Sequence, residues 1–141
     1  MIVFLSCGKN TQRIRTSYAF FDERNHYHEI YITRDSVYMC FEPIPVIYEF
    51  SYFKKRNVYF LQKNNENIST FEIIKKKEHF YIIIDQDEFE AFHIKDKIHL
   101  SKYYSNNLDL MDEFYIQLSR RKLYFLYQNN FKKNNSVGLS Q

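Results

Sequence analysis

From Lys9 to Val137 the chain contains no glycine, and its two prolines, Pro43 and Pro45, stand almost side by side. Glycine enters positive φ at no steric cost and lets backbone approach a ligand closely. Phosphate-cradling loops, dinucleotide fingerprints and nucleophile elbows depend on it, so the chemistries built on those loops are excluded. What remains is a small domain rich in aromatic residues.

At 141 residues the chain has the size of one domain, able to bury a core without disulfides or a structural metal. Thirteen tyrosines and 14 phenylalanines supply the bulk of that core, and there is no tryptophan. Alanine occurs only as Ala19 and Ala91, a scarcity that strongly AT-rich codons would impose, so aromatic content alone says nothing about function. Cys7 and Cys40 form neither a disulfide framework nor a zinc motif, which suits a reducing compartment. Met1 to Cys7 is too short and lacks the basic flank of a signal peptide, and no stretch has the length of a membrane span. The expectation is a soluble intracellular protein, cytoplasmic or nuclear, with no cofactor implied. Its net charge of +3 is weaker than a dedicated nucleic-acid binder shows.

Segments of period two, rich in Tyr, Phe, Ile and Val, recur with polar punctuation, as in an antiparallel meander, sandwich or barrel. The spacing predicts strands at Ile2 to Ser6, Thr16 to Phe21, Tyr27 to Thr33, Ser36 to Phe41, Val46 to Phe53, Val58 to Gln62, Ser69 to Lys75, Phe80 to Ile84 and Phe89 to Ile94, with Ile98 to Leu100 as a further candidate. Phe80 to Ile84 is apolar on both faces and reads as a central strand, whereas the prolines before Val46 to Phe53 suit a strand start or an edge. After Leu100 the period changes. Leu108, Met111, Tyr115 and Leu118 share one side of a helix near 108–122, with Asn107 as its cap. Asp109, Asp112 and Glu113 suit the positive end of its dipole, and Arg120, Arg121 and Lys122 the negative end. Leu123 to Tyr127 reads equally as helix or strand, and 128–141 reads as a flexible polar tail behind a single domain, 1–127. The fold expected is mainly β, a meander forming a small barrel or sandwich with one C-terminal helix. Such a plan resembles the pleckstrin-homology superfold, seven strands plugged at one end by a helix, and an OB-like barrel or a sandwich with an appended helix fits nearly as well.

If consecutive strands pair as hairpins, successive turns alternate between the two ends of the sheet. One end then collects Arg34-Asp35, Lys54-Lys55-Arg56, Lys75-Lys76-Lys77-Glu78 and Lys95-Asp96-Lys97, and the other collects Asp22-Glu23-Arg24, Glu42, Asn64 to Asn67 and Asp85 to Glu88. Counting Lys and Arg against Asp and Glu, the first set carries +6 and the second −6. A basic rim of this kind would hold an anion, and the acidic rim would face a cationic partner.

Other constellations are weaker. His26 and His28 place two imidazoles on one strand face, as in some metal enzymes, with His79, His93 and His99 as possible third ligands, yet Ile30 and Ile32 share that face and point to structural histidines. Asp85, Asp87, Glu88 and Glu90 suit a solvated turn better than an acid-base pair, because nothing desolvates one of them. No serine carries the signature of an activated nucleophile, and Cys7 has no identifiable base beside it. The run Tyr52 to Tyr59 interleaves rings and lysines as single-strand binders do, but a strand alternating core rings with surface lysines looks the same.

The expected function is a non-enzymatic protein-interaction module, an adaptor, accessory or inhibitor protein, meeting its partner through the outer helix face or an edge strand near Val46 to Phe53. The alternative is a binder of nucleic acid or an anionic lipid headgroup such as a phosphoinositide through Lys54, Lys55, Arg56, Lys75, Lys76, Lys77, Lys95 and Lys97. A third is a small metal-dependent hydrolase centred on His26 and His28.

Overall fold

A computed structural model describes residues 15–95, 100–104 and 108–138. Eight strands follow one another, β1 (Thr16–Phe21), β2 (Tyr27–Ile32), β3 (Ser36–Phe41), β4 (Ile44–Lys55), β5 (Val58–Lys63), β6 (Glu66–Lys76), β7 (His79–Ile84) and β8 (Asp87–His93). Each pairs antiparallel with the next, and β8 returns to β1, closing an up-and-down barrel. Two helices complete the chain, a short α1 (Leu100–Tyr103) and the long α2 (Leu108–Gly138). Among the described residues no helix is long and apolar enough to cross a membrane.

The strand expectation holds closely, and the expected meander with a C-terminal helix is the fold observed. Several particulars differ. Closure gives β4 a neighbour on both sides, β3 and β5, so it is no edge. Leu100 begins α1 rather than ending a strand, because its side chain is buried under α2 with Tyr103 and Phe114. The barrel has eight strands and its helix lies along the outer wall, unlike the plugged end of a pleckstrin-homology barrel. Ile2 to Ser6, Cys7, Asp96, Lys97, Ile98, His99 and Asn107 lie outside the described residues.

Alternation along each strand divides the side chains into two cores. Inside the barrel pack Tyr18, Phe20, Ile30, Ile32, Val37 and Met39 from the first three strands, and Tyr59, Leu61, Phe71, Ile82 and Ala91 from the later ones. Outside, Ala19, Tyr27, Tyr31 and Cys40 pack against Leu100, Tyr103, Phe114, Leu118 and Phe125 of the helices. β2 therefore is buried on both faces over its whole length, the environment sequence assigned to β7. On β7 only Ile82 is fully buried, since no helix covers that wall.

The helix runs past residue 122, through Leu123 to Tyr127 and into the stretch expected to be a tail. Its buried face is Phe114, Leu118, Arg121 and Phe125, and Tyr115, expected on that face, is 42% exposed. Arg121 therefore is not a dipole-capping residue at a helix end. It lies mid-helix, 8% exposed, and its Nη1 donates to Glu29 Oε2 at 2.9 Å, while the Tyr27 hydroxyl donates to Glu29 Oε1 at 2.6 Å. Glu29 is 1% exposed. Two charges so far from water are tolerated because they pair with one another, with the Tyr27 hydroxyl as a further donor to Glu29. Lys122 adds a second tie, its Nζ 2.8 Å from Glu42 Oε2, and Glu42 also accepts the Tyr27 amide.

Five of the hairpin loops contain two residues, Glu42-Pro43, Arg56-Asn57, Asn64-Asn65, Lys77-Glu78 and Asp85-Gln86. Tight loops on right-twisted strands need positive φ. In the absence of glycine it falls, in four of these five loops, on Arg56 (55°), Asn64 (52°), Asn65 (62°), Lys77 (57°), Asp85 (49°) and Gln86 (72°), and Glu42-Pro43 turns without it. A left-handed residue with a Cβ costs roughly 1–2 kcal/mol, against about 0.5–1 kcal/mol for glycine's extra chain entropy.

Gln86→Gly is expected to raise stability by about 0.5–1 kcal/mol, seen as a Tm higher by several degrees; a lower Tm would mean the loop is not left-handed. Arg121→Leu alone should cost about 3–5 kcal/mol in urea unfolding by stranding Glu29, and adding Glu29→Leu should recover part of that loss. Equal loss in the single and double variants would show that the pair is not the reason.

Candidate functional site

The uninterrupted meander sends alternate turns to opposite ends of the barrel, which is the condition under which the basic and acidic turns separate. The side chains then sort further by strand face. Lys54 and Lys75 follow the inward-facing positions of β4 and β6, and their Nζ atoms lie over the Tyr59 and Phe80 rings at 5.1 and 5.6 Å. Tyr59 stacks on Phe71 at 4.7 Å and packs against Tyr52, so this end is closed by rings with two ammonium groups over them. Tyr52 donates to the Thr33 carbonyl at 2.6 Å, tying the β2–β3 turn across the same end. Burial first, and the neighbouring Tyr59 second, push the Tyr18 and Tyr52 hydroxyls above the usual phenol range.

The other lysines do not join them. Lys55 lies over Phe53 and Lys76 over Tyr81, both on the outer wall, and Lys76 Nζ is held by Glu88 Oε1 at 2.6 Å. Arg56 and Lys77 occupy turn apices. Lys95 lines a different feature, a cavity of about 390 Å³ between β8 and α2 that it shares with His93, Arg120 and Tyr124. The expected patch is thus divided among the barrel end, the outer wall and the helix groove.

At the acidic end, Asp22 organises the β1–β2 turn. Its Oδ1 accepts the amides of Arg24 (2.8 Å) and His26 (3.0 Å), an aspartate turn that explains the local chain reversal. Its Oδ2 lies 2.8 Å from His28 Nε2 and 3.5 Å from His26 Nδ1. The two histidines do converge, but on a carboxylate, and His79 and His93 belong to the other end of the barrel, where His79 pairs with Glu90 at 3.1 Å. Among the described residues no three side chains are placed to hold a metal ion.

His28 faces inward between Phe20 and Phe41, ring centroids 4.9 and 5.2 Å away. It lines a cavity of about 220 Å³ at the acidic mouth, together with Asp22, Glu23, Asp85, Asp87 and Phe89. From sequence, Asp85 and Asp87 read as a solvated turn on the same acidic rim as Asp22. Their approach to the Asp22–His28 pair depends on closure between β8 and β1, which no local pattern announces.

A different surface lies on α2. Ile116 (53% exposed), Leu123 (67%) and Tyr127 (68%) stand at helical spacing on the side opposite Phe114, Leu118 and Phe125, with Tyr124 (59%) beside them. No family model, no curated protein and no solved structure matches this chain.

Burial would raise the Asp22 carboxyl, but bonds from His28 and from the His26 and Arg24 amides outweigh it and hold the group below the usual carboxylate range. A carboxyl depressed on folding stabilises the fold above its unfolded value near 3.8, and that contribution disappears as pH falls through its folded value. The stability advantage of the natural chain over Asp22→Asn should be full at neutral pH and shrink below about pH 4 in urea titrations. An advantage that is constant across pH would contradict this.

Proposed function

We propose that the protein is a non-enzymatic interaction module, an adaptor, accessory or inhibitor, whose partner is another protein met on the outward face of α2. The observation that carries this reading is the row Ile116, Leu123 and Tyr127, apolar side chains exposed on a helix whose opposite face already packs on the barrel. A helix needs only one apolar face to dock within its own domain. A second apolar row costs solubility and marks a surface shaped for another molecule. Arg120 lies within the row and is exposed, so the partner surface is apolar with a carboxylate placed to meet that guanidinium.

Affinity capture of the tagged protein, with and without nuclease, is the test. A stoichiometric partner that resists nuclease and is lost on Leu123→Glu, with Tm unchanged, is the expected result; capture that Leu123→Glu leaves intact overturns the reading.

One observation favours a second reading, an anionic ligand such as nucleic acid or a phosphoinositide headgroup at the basic end. Lys54 and Lys75 sit over rings at that end, with Arg56 and Lys77 at the turn apices beside them. Phosphate binding of that kind weakens steeply with salt. Lys54→Glu/Lys75→Glu should abolish retention on an anionic matrix at low salt, and retention unaffected by the change or by salt would end this alternative.

A further inference from the structure

Gln117, Arg120 and Tyr124 follow one another at helical spacing, which puts them on one face of α2, and that face borders β8. Between the two elements lies the cavity of about 390 Å³, lined on its apolar side by the buried Ile94 and Phe125 and at its rim by the exposed Lys95, Arg120 and Tyr124. Tyr124 meets the Phe125 ring edge-on at 5.1 Å, and Phe125 stacks on Phe92 at 5.5 Å, so one wall is an aromatic surface. Among the described residues no carboxylate lines this cavity. The pairing of charges along the same helix is a second and independent observation. Arg121 and Lys122 are each held by a carboxylate of the barrel, Glu29 at 2.9 Å and Glu42 at 2.8 Å. Arg120 borders the cavity instead, and among the described residues neither it nor Lys95 forms an ion pair. Arg121 at the cavity wall is balanced by Glu29, while the charges of Lys95 and Arg120 keep no counter-charge there.

The complementary chemistry is narrow. A ligand for this cavity must carry negative charge, accept hydrogen bonds from several donors and cover an aromatic wall. A carboxylate or phosphate meets the first two demands, since a guanidinium fork and an ammonium group bind such oxygens through charge-assisted bonds. A flat apolar body attached to it meets the third by lying against Tyr124 and Phe125. Small-molecule pockets run from about 300 to 1,000 Å³, so a cavity of about 390 Å³ suits a free small acid and excludes a folded element. An adjoining cavity of about 270 Å³ shares Lys95, Tyr124 and Phe125 but adds Glu78 and Glu90, whose carboxylates repel an anion. The charged group therefore faces Arg120, and the apolar body extends along Phe125.

We propose that the groove between β8 and α2, built from Ile94, Lys95, Gln117, Arg120, Tyr124 and Phe125, binds a small organic acid, a carboxylate or phosphate carried on an aromatic body. The groove shares Arg120 with the outward surface of α2, but Ile116, Leu123 and Tyr127 do not line it. Lys54 and Lys75 at the basic barrel end do not line it either. Each of these surfaces can therefore fail without the others.

Calorimetric titration of the full chain with phenyl phosphate and benzoate, using benzyl alcohol as the neutral counterpart, tests it, with the Tyr124 ring and Arg120 Nε–H signals followed by NMR. Saturable binding of at least one acid with shifts at Tyr124 and Arg120 is expected, and Lys95→Gln/Arg120→Gln should weaken it by about tenfold or more. Both residues are exposed and neither ties the helix to the barrel, so the double variant keeps its Tm. Leu123→Ser and Lys54→Glu/Lys75→Glu should leave the binding unchanged. Tighter binding of phenyl phosphate assigns the oxyanion as a phosphate, and tighter binding of benzoate assigns it as a carboxylate. The proposal is overturned if neither acid saturates, if benzyl alcohol binds as well, or if the Lys95/Arg120 variant keeps full affinity. Binding that is lost in the Lys54/Lys75 variant overturns it too, because the acid would then sit at the basic barrel end.

Discussion

Three residue pairs, Tyr18 with His93, Ala19 with Phe92 and Phe20 with Ala91, join the first strand to the last. This is the shortest pairing in the barrel, yet closure rests on it. A sheet left open here would expose two strand edges and turn its inward face to water. Helix α2 lies over the seam. Ala19 is fully buried in the outer core, and its small side chain lets the helix approach closely, while Phe125 stacks on Phe92 at 5.5 Å and on Tyr27 at 6.4 Å. The Arg121–Glu29 pair then fixes the helix in one position, since a sliding helix would strand both charges in an apolar interface.

Closure also gives the molecule two ends of unlike chemistry. At one end lysine ammonium groups rest on tyrosine and phenylalanine rings; at the other, carboxylates surround an aromatic cup with His28 at its wall. The polarity arises without any specialised loop. It follows from carrying Lys54-Lys55-Arg56 and Lys75-Lys76-Lys77 in turns at one end and Asp22-Glu23 and Asp85 to Glu88 in turns at the other, in a chain whose strands never cross over. The outer face of α2 adds a third, apolar surface.

The strands were legible because period-two alternation is a local property, and β1, β3 and β7 appear almost at the limits their residues suggest. Helix α2 was legible in its position and in part in its face, since Leu118 and Met111 pack on the barrel as expected and Tyr115 does not. Tyr115 and Phe114 are adjacent and both aromatic, and only the position of the barrel wall makes Phe114 the buried one. Its length was missed because Arg120-Arg121-Lys122 looks like a C-terminal cluster, when Arg121 instead reaches a glutamate 92 residues away. Burial and Glu29 push the Cys40 thiol up to about 12, an inert group in a position where sequence shows only an unpaired cysteine.

The sequence by itself determined the β meander, the C-terminal helix and the exclusion of glycine-dependent phosphate and nucleophile loops, because alternation, capping and backbone freedom are properties of neighbouring residues. It also determined which turns are basic and which acidic. Only the tertiary structure decided that the sheet closes, that β2 rather than β7 is buried on both faces, that Glu29 and Arg121 meet, and that Asp22, His28, Asp85 and Asp87 share a cavity. Each of these depends on how far strands tilt and where the last one meets the first, and the free energy of that closure comes from contacts between residues distant in the chain.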